Sequence, residues 1–328
     1  MKRDGAVSHW DDIEGSRGER GHIAGTWRSL TGDNSTTVGV KRIEIDAGMW
    51  ATPLHLENSE EEIFYVLGGS GISLQWDGET TEAFEVGAGD CLVHLATDYA
   101  HTLRAGPDGL DVLAFGERHN AMGSAYLPRA GASWGLGRWT RVGDPEDHPW
   151  KREAEVGAPE VPETSPRPVR IVNASAVEPS VSARTTIRSS WVDFGEAAGS
   201  ERTGMSLVTV EPGMYMAPPH CHSAEEEIFV VLDGEGELEI WPSARHRSEL
   251  RTTELETTPI RAGHTVARPA GTQRAHAIRA GAAGLTVLAY GARDPNDITY
   301  YPRSGKVSLR GVGVIGRIEQ LDYRDGED

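Results

Sequence analysis

Short apolar runs broken by glycine and polar residues follow one another along the chain, strand after strand. Ile63 to Leu67 and Ile228 to Leu232 are β-branched or apolar runs, predicted to end in glycine-containing turns at Gly68-Gly69 and Asp233-Gly234. Leu238-Glu239-Ile240-Trp241 alternates as a half-buried strand does, and Leu110 to Phe115 and Leu285 to Tyr290 are further strand candidates. Helical signals are few. The 39 glycines and 18 prolines suit a chain of strands and turns, and the pattern predicts an all-β barrel.

The pattern occurs twice. IDAGMWATPLHLENSEEEIFYVLGGSG from Ile45 lies beside VEPGMYMAPPHCHSAEEEIFVVLDGEG from Val210, so that Gly48, Pro53, His55, Glu62 and Gly69 recur 165 residues later. AHTLRAGPDGLDVLAFGER from Ala100 matches AHAIRAGAAGLTVLAYGAR from Ala275, now 175 residues on. A third block sets Tyr126, Pro128, Arg129 and Gly131 against Tyr300, Pro302, Arg303 and Gly305. Shared β-rich composition would repeat strand patterns, but not these Gly-Met, Pro and Ala-His positions. The ten-residue growth in offset places an insertion in the second copy, at the polar stretch from Pro242 to Arg251. Residues 143–168, rich in proline and charge without apolar periodicity, read as a connecting segment, part of which can lie along a barrel surface. The expected domains are therefore 1–142 and 169–328, joined by 143–168.

Charge narrows the class. With 32 basic and 50 acidic side chains the net charge is −18, which disfavours phosphate backbones and anionic membranes as partners. No apolar run is long enough to span a bilayer, the first residues lack the apolar stretch of a signal peptide, and two cysteines make no disulfide framework. A cytoplasmic protein with a small-molecule substrate is expected, as a monomer or homo-oligomer.

The chemistry concentrates where the repeats are strongest. In the second copy, His220 and His222 stand two apart on a strand and share a face, while Cys221 points elsewhere. Glu227 opens the next strand after a short polar turn, and a barrel can bring His276 across to them. Three histidines and a glutamate at these spacings point to a divalent ion rather than to packing. Glu225 and Glu226 are expected to be solvated or to support the ligands. In the first copy His55, Glu62 and His101 persist, Glu57 replaces the second histidine, and Leu95-Ala96-Thr97 replaces the turn Pro269-Ala270-Gly271. That site is either a mixed carboxylate–imidazole centre or a decayed one. His94 reads as a rim residue.

The run of glycine, HxH, four residues and Glu, followed later by glycine, Pro-x-Gly and His, resembles the two motifs of the cupin superfamily. Two such modules resemble a bicupin, which implies two tandem double-stranded β-helix (jelly-roll) barrels. The second motif departs by holding four residues, not two, between Gly271 and His276. The resemblance implies metal ligation by His220, His222, Glu227 and His276, with His55, Glu57, Glu62 and His101 as the corresponding set. Nitrogen and oxygen donors without thiolate admit Fe(II), Mn(II), Ni(II) or Zn(II). Four protein ligands leave an octahedral ion two positions for substrate, or for substrate and dioxygen. A dioxygenase acting on a small organic acid or aromatic is the first expectation. A non-redox isomerase, decarboxylase or lyase acting on a sugar or hydroxy acid is the second, and a non-catalytic binding protein the third.

Three signals are set aside. Gly311-Val-Gly313-Val-Ile-Gly316 has the spacing of a dinucleotide fingerprint but no room for a crossover helix, and reads as a turn. Arg129 and Arg303, repeated within Tyr-x-Pro-Arg, are expected to tie barrel or interface. Cys221 is expected to pack on the back face.

Overall fold

The structure is a computed structural model that describes residues 6–118, 125–135, 138–141, 149–242, 254–319, 321 and 324–327. Most of the insertion predicted at 242–251 lies outside the described residues. Each copy forms a barrel from one eight-stranded and one four-stranded sheet. In the first, the large sheet runs Ile171–Asn173, Asp90–His94, Glu62–Trp76, Ala100–Glu117, Val38–Ile45, Ile23–Ser29 and Ser16–Arg20, with Thr81–Gly87 also paired to Glu62–Trp76. In the second it runs Ala6–His9, His264–Arg268, Glu227–Ile240, His276–Ala292, Thr203–Val210, Arg188–Asp193 and Ser180–Ala183, with Glu256–Arg261 against Glu227–Ile240. The all-β expectation holds, with a helix at Pro149–Val156 in the connecting segment and a short one at Phe194–Ala197. No helix among the described residues is long and apolar enough to cross a membrane.

Two expectations need correction. The glycine pairs do not end their strands: Glu62–Trp76 and Glu227–Ile240 run straight through them, with register shifts at Val66/Gly68 and Val231/Asp233. Gly69 and Gly234 both sit at φ 80. A Cβ there would meet the carbonyl oxygen of Gly109 or Gly284 at 2.3 Å, so only glycine lets the bulge bend the strand without breaking its ladder.

The sheets also ignore the expected boundaries at 142 and 169. Ala6–His9, from the start of the chain, pairs with His264–Arg268 of the second barrel, in the register Ala6↔Ala267 to His9↔His264. Ile171–Asn173, placed beyond the linker, pairs with Asp90–His94 of the first barrel, Ile171 opposite Leu92. Each half lends the other a strand that covers an edge otherwise open to unwanted pairing. The connecting segment hugs the first barrel as well: Thr164 bridges Ala83, the Ser165 N–H donates to the Ala83 carbonyl at 2.8 Å, and Arg167 pairs with buried Asp90 at 2.7 Å.

The barrels meet through one continuous apolar core. Val40, Ile63, Leu113 and Phe115 from the first pack with Met205, Ile228, Leu288 and Tyr290 from the second, and the Phe115 and Tyr290 rings lie 5.0 Å apart. At its edges two carboxylates are exchanged. Glu226, fully buried, accepts from the backbone N–H and hydroxyl groups of Thr36 and Thr37 at 2.7 to 3.1 Å. Its counterpart Glu61 accepts from the N–H groups of Glu201, Arg202 and Thr203 at 2.9 to 3.1 Å, and from the Thr203 hydroxyl. Glu226 thus takes neither of the roles the sequence suggested, solvated or supporting the ligands, but joins the two barrels. Removing it leaves at least two buried donors unsatisfied, at about 1–3 kcal/mol each. Glu226→Ala is therefore expected to lower stability by roughly 2–4 kcal/mol, read as an earlier urea midpoint, with metal stoichiometry unchanged.

Candidate metal centres

In the second barrel His220 and His276 face each other across an antiparallel bridge, with His220 N–H to His276 carbonyl at 3.1 Å and the reverse bond at 2.8 Å. That bridge places both rings on one side, 4.7 Å between centroids. His222 follows on the short strand Cys221–His222, held opposite Thr299. Glu227 begins the strand next to His276–Ala292 and carries its carboxylate into the middle. Its Oε2 lies 3.1 Å from His276 Nε2, 3.4 Å from His222 Nε2 and 3.7 Å from His220 Nε2.

Hydrogen bonds fix which nitrogen is free. His220 Nδ1 lies 2.7 Å from the Pro218 carbonyl, which can only accept, so Nδ1 carries the proton and Nε2 keeps its lone pair. His222 Nδ1 is held in the same way by Asp297 Oδ2 at 2.7 Å. Asp297 also accepts from the backbone N–H groups of Ala224 and Glu225 and from the hydroxyls of Ser223 and Thr299. These bonds, with the His222 ring, hold its carboxyl well below the usual range despite burial. Glu225 is buried too, accepting from the Asp294 N–H at 2.9 Å, pairing with Arg310 at 2.7 Å and lying 3.6 Å from His222 Nδ1, so of the two roles expected of it, it takes the supporting one.

The donor atoms are short of partners. His222 Nε2, Glu227 Oε2 and His276 Nε2 are buried and make no hydrogen bond. Lone pairs buried without a partner are costly, and a cation among them removes the cost. Burial lowers the His276 ring to about 3, against the pull of Glu227. For His222 burial acts downward too, but Glu227 and Asp297 outweigh it and leave the ring raised. Burial opposes charge on Glu227, yet the His222 and His276 rings hold it well below the ordinary carboxylate range. A neutral His276 imidazole, two further imidazoles and an ionised carboxylate fit a divalent cation.

The first barrel repeats the scaffold. His55 and His101 form the same bridge, their rings 4.6 Å apart, and His55 Nδ1 is 2.9 Å from the Pro53 carbonyl. Glu62 Oε2 lies 3.0 Å from His101 Nε2 and 3.9 Å from His55 Nε2. His55, Glu62 and His101 make the close cluster. Glu57 stands beside it, Oε1 at 3.9 Å from His55 Nε2. Without a cation, burial and the Glu62 carboxylate push Glu57 up to about 9, while burial and His101 lower His55 to about 4. His55, Glu57 and Glu62 open into a cavity of about 530 Å³ lined in part by Trp27, Phe64, Leu103 and Val112.

His94 is not at the rim. Only 2% exposed, it stacks flat on His101 with centroids 3.8 Å apart and 6° between planes. The Asp90–His94 strand pairs Glu62 with His94, so the ring backs the ligand face. The altered turn keeps its geometry: Thr97 takes φ 64 and its N–H donates to the Glu57 carbonyl at 2.8 Å, as Gly271 at φ 67 does to the His222 carbonyl. In the longer second turn Gln273 takes a further left-handed step, φ 63, and His276 still reaches its bridge.

Sequence reasoning missed Asp297 and Trp150 and misplaced His94. Asp297 has a faint signal, an acidic DPND run just before the Tyr-x-Pro-Arg block. Of the residues set aside, Arg129 pairs with buried Glu153 of the connecting helix and donates to the Gly157 carbonyl at 2.6 Å. Arg303 lies over the Trp241 ring at 5.8 Å. Cys221 is opposite Tyr300 on its strand, its thiol pushed up to about 11 by burial. The Gly311 to Gly316 run forms a 3₁₀ turn and the strand Val314–Arg317.

Residues 206–288 match the model of the cupin domain family. That match covers part of the second barrel; with the first barrel built alike, the chain has a two-barrel bicupin architecture. Solved structures of Bacillus subtilis oxalate decarboxylase share this architecture. A two-residue deletion variant superposes with TM-score 0.59 at 18% identity, covering 87% of this chain and 76% of that one. An arginine-to-alanine variant gives 0.59 and 18% over 88% and 77%. A structure concerned with its Mn(II) centres gives 0.57 and 17% over 87% and 76%. No protein of curated function matches the sequence. At such identities the likeness establishes the fold.

The buried rings set a pH dependence for the metal-stripped protein. His276 (about 3) and His55 (about 4) resist protonation when folded, whereas an unfolded histidine titrates near 6.5. Above pH 6.5 neither ring distinguishes the states. As pH falls from 6.5 towards 4 the unfolded chain binds protons that the folded one refuses, and stability drops by on the order of 3 kcal/mol per ring. Glu57, pushed up to about 9, acts in the opposite sense over this range, so the ring's contribution is read by difference: in urea unfolding of metal-stripped protein between pH 7 and 4, His276→Gln should gain stability relative to the parent as pH falls.

Proposed function

We propose that this bicupin is a metal-dependent enzyme that removes the carboxyl group of a carboxylic acid, working at the first barrel. The carrying observation is that the donors His55, Glu57 and Glu62 open into a substrate-sized cavity, within the architecture shared with a decarboxylase described with Mn(II) centres. His220, His222, Glu227 and His276 hold a second divalent ion. A bound ion would supply Lewis acidity and open positions for the substrate carboxylate. The chain's own residues do the rest. His55, aligned through the Pro53 carbonyl, and His101, backed by His94, present nitrogen donors at fixed angles. Glu62 and Glu57 bring the negative charge that balances the cation. Phe64 and Leu103 exclude water, and Lys41, on the same cavity wall, attracts the anionic substrate. The bond between carbon and carboxylate breaks, CO₂ leaves, and the carbon takes up one proton.

A dioxygenase is the second reading. Its support is the close cluster of two histidines and one carboxylate, His55, His101 and Glu62, a set that suits iron and dioxygen. The comparisons add nothing to it.

Two outcomes are expected. Metal analysis of untagged protein should give about two divalent ions per chain, falling to about one in His220→Ala/His222→Ala with the fold kept. Loss of no metal in that variant would reject the second-barrel ligand set. Under anaerobic conditions the Mn(II)-loaded protein should still release CO₂ from its acid substrate, and Glu62→Gln should cut kcat at least 100-fold, or about 2.7 kcal/mol of barrier. Oxygen uptake in step with turnover would favour the second reading instead.

A further inference from the structure

The first-barrel cavity is too large and too apolar for a two-carbon diacid. It holds about 530 Å³. Oxalate has the bulk of two or three water molecules, on the order of 100 Å³ at about 30 Å³ each. Beyond the donors, the walls are mainly apolar and include Trp27, Trp150, Phe64, Leu103 and Val112, with Lys41, Ser16, Ser29 and Thr52 among them.

Two features make this space particular to the first barrel. Ala51 lines it, whereas the aligned position in the second barrel carries the buried methionine Met216. Trp150 comes from the connecting helix Pro149–Val156, which packs on the first barrel. It meets Trp27 at 5.8 Å between centroids and 56° between planes. The helix is anchored there: Glu153, fully buried, pairs with Arg129, and Ala154 sits so close to Gly21 that a Cβ at 21 would be 2.7 Å from its own. The Trp27 ring is given room by Gly18, whose Cβ would approach it to 2.8 Å. The two indoles pack on each other and together face the aliphatic side of the cavity, Leu103 and Val112, which leaves a slot for an apolar body whose acid end reaches the donors.

We infer that the substrate is a carboxylic acid with an aromatic or comparably bulky apolar body, which rests against the wall that Trp27 and Trp150 build together while its carboxylate meets the His55, Glu57 and Glu62 side of the cavity. The inference rests on the reading of the chain as a metal-dependent enzyme of a carboxylic acid, and names which acids.

Isothermal titration of the Mn(II)-loaded full chain with phenylpyruvate and with oxalate tests it, with CO₂ release followed separately. Phenylpyruvate is expected to bind at least tenfold more tightly than oxalate. Trp150→Ala should weaken phenylpyruvate at least tenfold and leave oxalate binding and metal content unchanged. Ala51→Met, which imports the side chain of the second barrel, should do the same by filling the slot. Tighter binding of oxalate, or phenylpyruvate affinity unmoved in both variants, overturns the inference. Phenylpyruvate bound through Trp150 without CO₂ release would leave the slot standing and reject decarboxylation. Release of CO₂ from oxalate, indifferent to both variants, would do the reverse.

Discussion

Everything in this molecule turns on a run of three glutamates whose carboxylates leave one stretch of backbone in three directions. Glu225 is taken by Arg310 and the Asp294 N–H, Glu226 crosses to Thr36 and Thr37, and Glu227 enters the ring of imidazoles. Neighbours at the start of a strand face opposite ways, so a residue that binds the other barrel must stand beside one that faces the site. The first copy obeys the same rule with Glu61 and Glu62. Interface and candidate metal centre are therefore joined by one peptide bond in each half. A shift of either strand by one residue would exchange the two roles and bury a carboxylate with nothing to meet it.

The sequence showed the parts of this that are periodic. The duplication, the strands and the spacing of His220, His222, Glu227 and His276 were legible because a strand fixes which face a residue takes. The bridges between His55 and His101 and between His220 and His276 bring those rings together as expected. What escaped depended on contacts between distant segments. Nothing in AVSH near the start indicates that it closes the second barrel, and Glu226 is indistinguishable by pattern from its neighbours until Thr36 is placed against it. His94 looked peripheral because it precedes a loop, yet the strand end that carries it lies directly behind His101. The glycine pairs were misread for a different reason: a φ of 80 serves a turn and a bulge equally, and only the continuing ladder separates them.

The two halves have diverged around a common frame. In the second barrel the donors include three imidazoles, oriented by the Pro218 carbonyl and a saturated Asp297. In the first, two carboxylates share the site, the interior has lost the bulk of a methionine at Ala51, and the connecting segment adds an aromatic wall. A set richer in oxygen donors suits a harder ion. The altered turn has been retained in shape at some strain: Thr97 holds a left-handed conformation that glycine takes freely, at a cost of roughly 1–2 kcal/mol.

The exchanged edge strands bear on how the protein is made. The first barrel cannot close on the ribosome until Asn173 has emerged, and Ala6–His9 has no strand to join until Arg268 follows it. At a synthesis rate of about 5–20 residues per second, the leading strand waits on the order of ten seconds to a minute for its partner. During that interval a bare strand and an open sheet edge coexist on one nascent chain. Chaperone protection at that stage, or a slow final phase when the full-length protein refolds, follows from this order of events.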